Sequence, residues 1–470
     1  MQRAGRAFYS GIHFRLSRER SLVFYLPMKK PLKVVCYVPS FNAGDTTRGI
    51  EVARALVQKA NAEGRETDVT FLCPPVDGPQ FEAAIVQAGF KIGYTAVPLS
   101  KERIEQFMNA DRTGEEFVPD YEVARLYIEK YMEDMRNRKP DLIINGCIPP
   151  AGIATRILQI PTVTYLPFPA HDKWVQRHLL KDVPDELENR FTHALPKSVR
   201  RGLVSLASRL AGHKRFFTQP TLARAGRELG WNEKQPNLFS MLRADVELVT
   251  DLPDFYEGQD VGPRAQITGP LFSRPQEVEI DPRILEVFAR ENSKKVLVTM
   301  GSSGEKRYLL EAIEAVTRGG FHAVVVVQPT ICSMAEVKRK IRIPETVYLT
   351  DSFIPAHQVN PLADAVVIHG GQGTVQTAAF SGTPFVGVAM QAEQQANLDN
   401  LALHGAGIRI PRGFWTADTV HAALGRVLSD SGSGEKFKAR AAKLAQSFAQ
   451  NDGHRGAGEA IWRFVEARGL

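Results

Sequence analysis

The sequence predicts an α/β protein of two domains, each a parallel sheet covered by helices on both faces, with a cleft between them. Three observations carry this. The 470 residues exceed what one hydrophobic core usually organises. Short β-branched runs alternate with helical stretches, the pattern of parallel strands joined by crossover helices. The alternation starts twice, at Leu32 and again at Lys295, on either side of a stretch rich in Gly, Pro and polar residues. The chain therefore divides into a Rossmann-like domain over 28–255, a linker over 256–275 and a second Rossmann-like domain over 276–470, whose last helix can return to the first.

In the first domain, Lys33-Val-Val-Cys-Tyr-Val-Pro39 reads as a strand that ends in a loop containing Asn42, Gly44 and Asp45. Ile50, Ala53, Leu56 and Val57 then recur at helical spacing. Val69 to Leu72, Leu142 to Asn145 and Thr162 to Leu166 supply further buried strands, with a helix over Tyr121 to Arg138. In the second domain, Lys295 to Met300 is a strand leading into Gly301-Ser302-Ser303-Gly304 and a helix over Tyr308 to Thr317. Ala323 to Val327, Val347 to Leu349, Ala365 to Ile368 and Pro384 to Val388 follow as strands. The stretch Pro253 to Pro275 reads as linker.

Composition excludes several classes. No run of about 18 apolar residues suggests a membrane-spanning helix. Cys36, Cys73, Cys147 and Cys332 are scattered without zinc-ligand spacing, so they read as free thiols of a reducing compartment, which points to the cytoplasm. The net charge of +7 is largely local: residues 1–27 hold five Arg against one Glu, and the remainder gives no reason to expect nucleic acid. That segment has the composition of a presequence, and a true start at Met28 explains it equally well. From Lys197 to Arg227 there are eight Lys or Arg and no acid. Val199, Leu203, Leu206, Ala207 and Leu210 share one face of a helix there, with Arg200, Arg201 and Arg209 on another. It is either a helix packed on its own domain with a solvated basic face, or a lip that rests on anionic lipid.

The stretch around Ile368-His369-Gly370-Gly371-Gln372-Gly373-Thr374 carries chemistry. A strand ends at His369 and a helix follows, so the glycines leave backbone N–H groups uncovered at a positive helix N-terminus, where a diphosphate fits. Thr374 adds a hydroxyl donor and His369 can donate from its ring, although His369 also reads as a satisfied strand-end histidine. Farther on, Glu393 beside Gln394 at a strand end suits vicinal sugar hydroxyls, since Glu accepts while Gln both accepts and donates.

With Gly382-Thr-Pro384 and Asn397, these residues resemble the donor signature of the family 1 glycosyltransferases, H-G-G-x-G-T, then G-x-P, then D/E-Q-x-x-N. Thr268-Gly-Pro-Leu271 and Val298-Thr-Met-Gly301-Ser302 match the start and first loop of that family's second domain. Phe353-Ile354-Pro355 sits where the family places W/F-V-P. The resemblance implies the glycosyltransferase-B fold and a donor site of Gly301, Ser302, Ser303, Phe353, Ile354, His369, Gly370, Gly371, Gln372, Gly373, Thr374, Glu393 and Gln394. Phe353 would stack on the base and the Ile354 backbone would read its edge. A UDP- or dTDP-sugar is the implied co-substrate, with no cofactor and no metal.

Gly44-Asp45 corresponds to the family's G-H loop, whose His serves many members as general base. Asp in that place resembles the sterol- and glycopeptide-antibiotic-glycosylating branch, which makes Asp45 the implied catalytic base of an inverting displacement; an N-cap is its other role. Thr377 stands where many plant members keep a ribose-binding Glu, Ala356 replaces Gln or His, and Ala389 replaces Pro. The acceptor is expected to be a hydrophobic or hydroxylated small molecule, with Phe41, Tyr94, Phe107, Phe117, Phe168 and Trp174 as candidate walls. A nucleotide-sugar epimerase of the same fold and a non-catalytic sugar-nucleotide sensor are the alternatives.

Overall fold

The computed structural model describes residues 30–76, 81–113, 115–166, 181–185, 187–211, 218–234, 236–257, 261–274, 278–301 and 304–470. The Arg-rich segment 1–27, Phe168, Trp174, Ser302 and Ser303 lie outside them, as does 212–217 of the basic stretch.

The first sheet contains β1 (Leu32–Tyr37), β2 (Thr67–Cys73), β3 (Lys91–Tyr94), β4 (Leu142–Asn145), β5 (Thr162–Leu166), β6 (Val246–Val249) and β7 (Ala265–Ile267). Their order is β3-β2-β1-β4-β5-β6-β7, and every pairing is parallel. The second sheet contains β8 (Lys295–Thr299), β9 (His322–Val326), β10 (Val347–Thr350), β11 (Ala365–Ile368), β12 (Phe385–Gly387) and β13 (Gly407–Arg409) in the parallel order β10-β9-β8-β11-β12-β13. Two doubly wound lobes result.

Because both faces of each sheet are covered, alternate residues of one strand feed two cores. Leu32, Val34 and Cys36 of β1 pack with the helix Ala43–Ala62, while Val35 and Tyr37 pack with the helix Tyr121–Arg138. In the second lobe Val296 and Val298 meet the helix Lys306–Arg318, and Leu297 lies on the side of the helix Gln372–Ser381. The final helix, Gly453–Arg468, crosses back and inserts Ile461, Trp462 and Val465 into the first lobe's core beside Leu32 and Leu56.

Two features differ from the sequence pattern. The stretch Pro253–Pro275 holds a short helix over Pro253–Tyr256 and then β7, the edge strand of the first sheet, so it is part of that lobe; three residues are too few for an alternation to show. The helix Lys197–Ala211 is also turned the other way. Arg200 faces inward, with Nε 2.7 Å from Asp182 and Nη2 2.7 Å from Glu188, while Val199, Leu203 and Leu206 are exposed. Two carboxylates, a buried one on Glu188 and a partly exposed one on Asp182, are invisible to a local helical pattern and outweigh the apolar stripe.

Candidate active site

In doubly wound sheets, ligands bind at the carboxyl ends of strands where the chain order reverses. Here the first sheet reverses between β1 and β4, and the second between β8 and β11. Asp45 follows β1, Cys147 follows β4, Gly301 follows β8 and His369 follows β11. All four line one cleft of about 2130 Å³ between the lobes.

The helix Ala43–Ala62 begins at Asn42, whose side chain accepts from Gly44 N at 2.9 Å and Asp45 N at 3.4 Å. Asn42 is therefore the cap, which excludes that role for Asp45 and leaves the Asp45 carboxylate turned to the cleft. Burial raises the Asp45 pKa above the usual carboxylate value; Arg48 Nη1, 3.5 Å away, and the Cys147 thiol oppose that rise by favouring the charged form. Cys147 holds a left-handed backbone at φ 63°, a conformation rare for a residue with a side chain. That turn brings its side chain to the wall of the cleft.

On the facing side, Gly371 begins the helix Gln372–Ser381 without any side-chain cap, so the first helical N–H groups are left for another acceptor. The turn is shaped by what a methyl would hit. At Gly301 (φ 57°) and Gly371 an added Cβ would strike the His369 ring, and at Gly370 (φ 88°) it would strike the Gln394 carbonyl. His369 is thus held between two glycines. Burial lowers its pKa to about 4, so the ring is neutral at neutral pH with one N–H to donate. Its Nδ1 and the Gln372 Oε1 are buried with no hydrogen-bond partner among the described residues, which suits a site that a polar ligand completes.

Glu393 lines the same cleft. Asn397 Nδ2 reaches both Glu393 Oε1 at 2.5 Å and the Gly370 carbonyl at 3.1 Å, so one amide joins the glycine turn to the acidic residue. Gln394 is used inside its own turn: its Oε1 accepts from Met390 N at 2.9 Å and its Nε2 donates to Gln391 at 3.1 Å. Gly373, Thr374 and Thr377 line the cleft beside Phe353, which is 70 % exposed, and Ile354, which is buried.

One stretch of the first lobe's wall is aromatic. Phe41 and Phe107 lie parallel with ring centroids 6.3 Å apart, and Phe117 follows at 6.2 Å from Phe107. Tyr94 is not among the residues lining the cleft; it sits at the outer end of β3, donating to Glu82 at 2.9 Å. Asn42, Cys147 and Asn397 carry no chemical signature in the sequence apart from the motif that contains Asn397. Among the described residues no group of three or more His, Cys, Asp or Glu is arranged to hold a metal ion, and no helix is long and apolar enough to cross a membrane.

Residues 321–452 match the family described as erythromycin biosynthesis protein CIII-like, C-terminal domain. The chain is 28 % identical over 215 residues to 4'-demethylrebeccamycin synthase of Lentzea aerocolonigenes, covering 45 % of this chain and 48 % of that protein. It is 24 % identical over 338 residues to a PGL/p-HBAD biosynthesis rhamnosyltransferase of Mycobacterium bovis, covering 70 % and 68 %. The chain thus spans about half the length of the first of these curated relatives. Among solved structures, a spinosyn rhamnosyltransferase superposes with a TM-score of 0.57 at 18 % identity over 93 % of this chain and 100 % of its own. The kitacinnamycin glycotransferase gives 0.60 at 18 % over 93 % and 99 %. Both share the glycosyltransferase-B fold. By its fold, its C-terminal match and these relatives, the chain is similar to the family 1 glycosyltransferases of the antibiotic type.

Proposed function

We propose that the protein transfers a hexose, with inversion, from a UDP- or dTDP-sugar to a hydroxyl of a hydrophobic small molecule. One observation carries this: a carboxylate at the first lobe's switch point and an uncapped helix N-terminus at the second lobe's switch point line the same cleft. Two of the similar solved structures contain thymidine diphosphate, which supports a nucleotide donor here.

In this mechanism the acceptor oxygen attacks the anomeric carbon in line with the departing diphosphate. Its proton passes to the Asp45 carboxylate as the bond from the sugar to the diphosphate oxygen breaks. Charge developing on the leaving diphosphate is met by the N–H groups that open the helix Gln372–Ser381, by Thr374 and by the His369 N–H. Glu393 accepts from sugar hydroxyls, Phe353 stacks on the base, and the wall of Phe41, Phe107 and Phe117 takes the apolar body of the acceptor.

The test combines calorimetry and turnover. UDP, dTDP and their glucose conjugates are titrated into the protein, and product from a panel of phenolic and polyketide acceptors is followed for wild type and Asp45→Asn. Nucleotide binding with glycoside formed only by wild type is the expected result. No heat with any nucleotide would remove the whole proposal; an epimerised nucleotide sugar, or binding without turnover on any acceptor, would replace transfer by the corresponding alternative.

Lipid contact belongs to the same proposal. Phe191, Leu195, Val199, Leu203 and Leu206 are exposed large apolar side chains, with Arg190, Lys197 and Arg201 exposed around them. Apolar bulk rimmed by cations is the composition of a helix lying on an anionic surface.

A further inference from the structure

Residues 182–185 lie between β5 and β6 of the first sheet, yet hydrogen bonds from Asp182, Val183 and Asp185 run to the second lobe. Asp185 is their centre, with a side chain 1 % exposed. One carboxylate oxygen accepts from Arg409 Nη1. The other accepts from the Arg412 backbone N at 3.3 Å and lies 3.6 Å from Arg412 Nε. The Asp185 backbone N donates to Gln395 Oε1 at 3.1 Å, and Gln395 Nε2 returns a bond to the Val183 carbonyl at 2.9 Å.

These contacts end on both sides of Glu393. Arg412 Nη1, held by Asp185, donates to the Met390 carbonyl at 3.2 Å, and Met390 N donates to the Gln394 side chain. Gln395 is two residues beyond Glu393 on the helix Ala392–Leu403. Arg409, the last residue of β13, is shared between Asp185 and Asp399 of the same helix, with Nε 2.7 Å from Asp399. The turn that presents Glu393 is therefore gripped at Met390 and at Gln395 by a strap from the opposite lobe. Among the described residues no hydrogen bond runs from this strap to the glycine turn that opens the helix Gln372–Ser381; that turn meets Glu393 through Asn397 and the first lobe through Gln372 and Gln376 on the Thr250 carbonyl.

We propose that Asp185 is a positioning residue for recognition of the donor's sugar: it fixes the Met390–Gln395 turn so that the Glu393 carboxylate meets the sugar hydroxyls, and acts on the diphosphate site far less. The proposal rests on the sugar-nucleotide function above and deepens it, because it makes sugar affinity depend on a segment of the acceptor-side lobe. The separation is physical. Sugar hydroxyls need a carboxylate placed to within a fraction of an ångström, whereas a diphosphate on helix N–H groups is held by a broad electrostatic well.

The experiment compares Asp185→Asn and Arg412→Gln with wild type by calorimetry, using UDP against UDP-glucose and dTDP against dTDP-glucose, beside a thermal melt of each free protein. Asp185→Asn keeps shape and removes charge. The expected result is a dissociation constant for the nucleotide sugar raised about tenfold, the loss for one charge-assisted contact, with that of the bare nucleotide diphosphate within about twofold of wild type. The double variant should be no worse than the weaker single one, since both act through one chain of contacts. Equal loss for both ligands, or no loss for either, overturns the proposal. Should Asp185→Asn fail to fold, the partly exposed Arg412→Gln carries the same comparison. Wild type binding no nucleotide is a different failure, and it sinks the sugar-nucleotide function itself.

Discussion

Tyr165 donates its hydroxyl to the backbone carbonyl of Asp45 at 2.7 Å, through a slot whose two sides are Gly49 and Gly146. A methyl at either glycine would overlap that hydroxyl, and at position 146 it would also meet the Tyr37 carbonyl at 2.9 Å. Tyr165 is fully buried and cannot swing aside. Gly146→Ala should therefore cost about 1–3 kcal/mol of stability, as overpacking does, and lower kcat by loosening the loop that carries Asp45. Tyr165→Phe keeps the packing and should cost only about 1 kcal/mol. Calorimetric unfolding and steady-state rates check both, and a Gly146→Ala protein with wild-type Tm would show the slot to be yielding.

The rate should follow the ionisation of Asp45. Burial raises its pKa from 3.8 and Arg48 draws it down, so the acid limb of kcat/KM should lie above the ordinary carboxylate range. Arg48→Gln removes the opposing charge and should move that limb to higher pH. Asp45→Asn should lower kcat by about 10²- to 10⁴-fold. A pH–rate profile unmoved by Arg48→Gln would count against Asp45 as the base.

Neighbouring glycines of the turn should behave differently. Gly371→Ala drives a methyl onto the His369 ring, so both Tm and nucleotide affinity should fall. Gly373 has nothing within 4 Å of an added methyl and lies inside a helix, so Gly373→Ala should raise stability by up to about 1 kcal/mol. That methyl would occupy space facing the cleft, so UDP or dTDP affinity should nevertheless fall. Unchanged affinity in a stabilised Gly373→Ala protein would move the diphosphate away from this residue.

Asp251, at the end of β6, is buried beside Tyr256 and Gln376, and burial raises its pKa from 3.8 to about 7. The fold holds the protonated form better than the unfolded chain does. Its contribution is complete below about 4 and is lost as pH rises toward 7, with no further change above. Asp251→Asn should remove this dependence, so the Tm of wild type minus that of the variant should fall between pH 5 and pH 8. Chemical or thermal melts at the two pH values measure it.

Vesicles containing phosphatidylserine should co-sediment wild type at low salt, and neutral phosphatidylcholine vesicles should not. Leu203→Asp, at an exposed position, should abolish sedimentation with no change in Tm. Equal sedimentation with neutral vesicles, or none with either, would refute lipid contact; a concentration-dependent dimer lost in the variant would give the face to a second copy.

Much of this fold could be read in the chain because its central strands are buried on both faces. Val34 to Cys36, Leu142 to Ile144 and Ala365 to Ile368 are continuous apolar runs, which no surface segment needs. The glycine turn was legible for the opposite reason: closely spaced glycines after a strand have no packing value of their own. The features without a local sequence signature depend on distant partners. β3, β7 and β13 are edge strands of three or four residues, and β6 carries Glu247. Asp45 fits a cap in the sequence because the cap itself, Asn42, stands only three residues earlier. The inward turn of Arg200 depends on Asp182 and Glu188, and the strap at Asp185 on Arg409 and Arg412, pairings with no sequence period.

The return of the helix Gly453–Arg468 to the opening lobe has a consequence for biosynthesis. Gly458 sits so close to the Ala55 carbonyl that no larger residue fits, and Trp462 closes the seam over Leu32 and Leu56. During translation the seam stays bare until residues beyond 453 have left the ribosome, so the lobe made first is finished last. A nascent or clipped chain lacking this helix would present a greasy groove to chaperones and proteases, and the amino-terminal half produced alone should be a client of both.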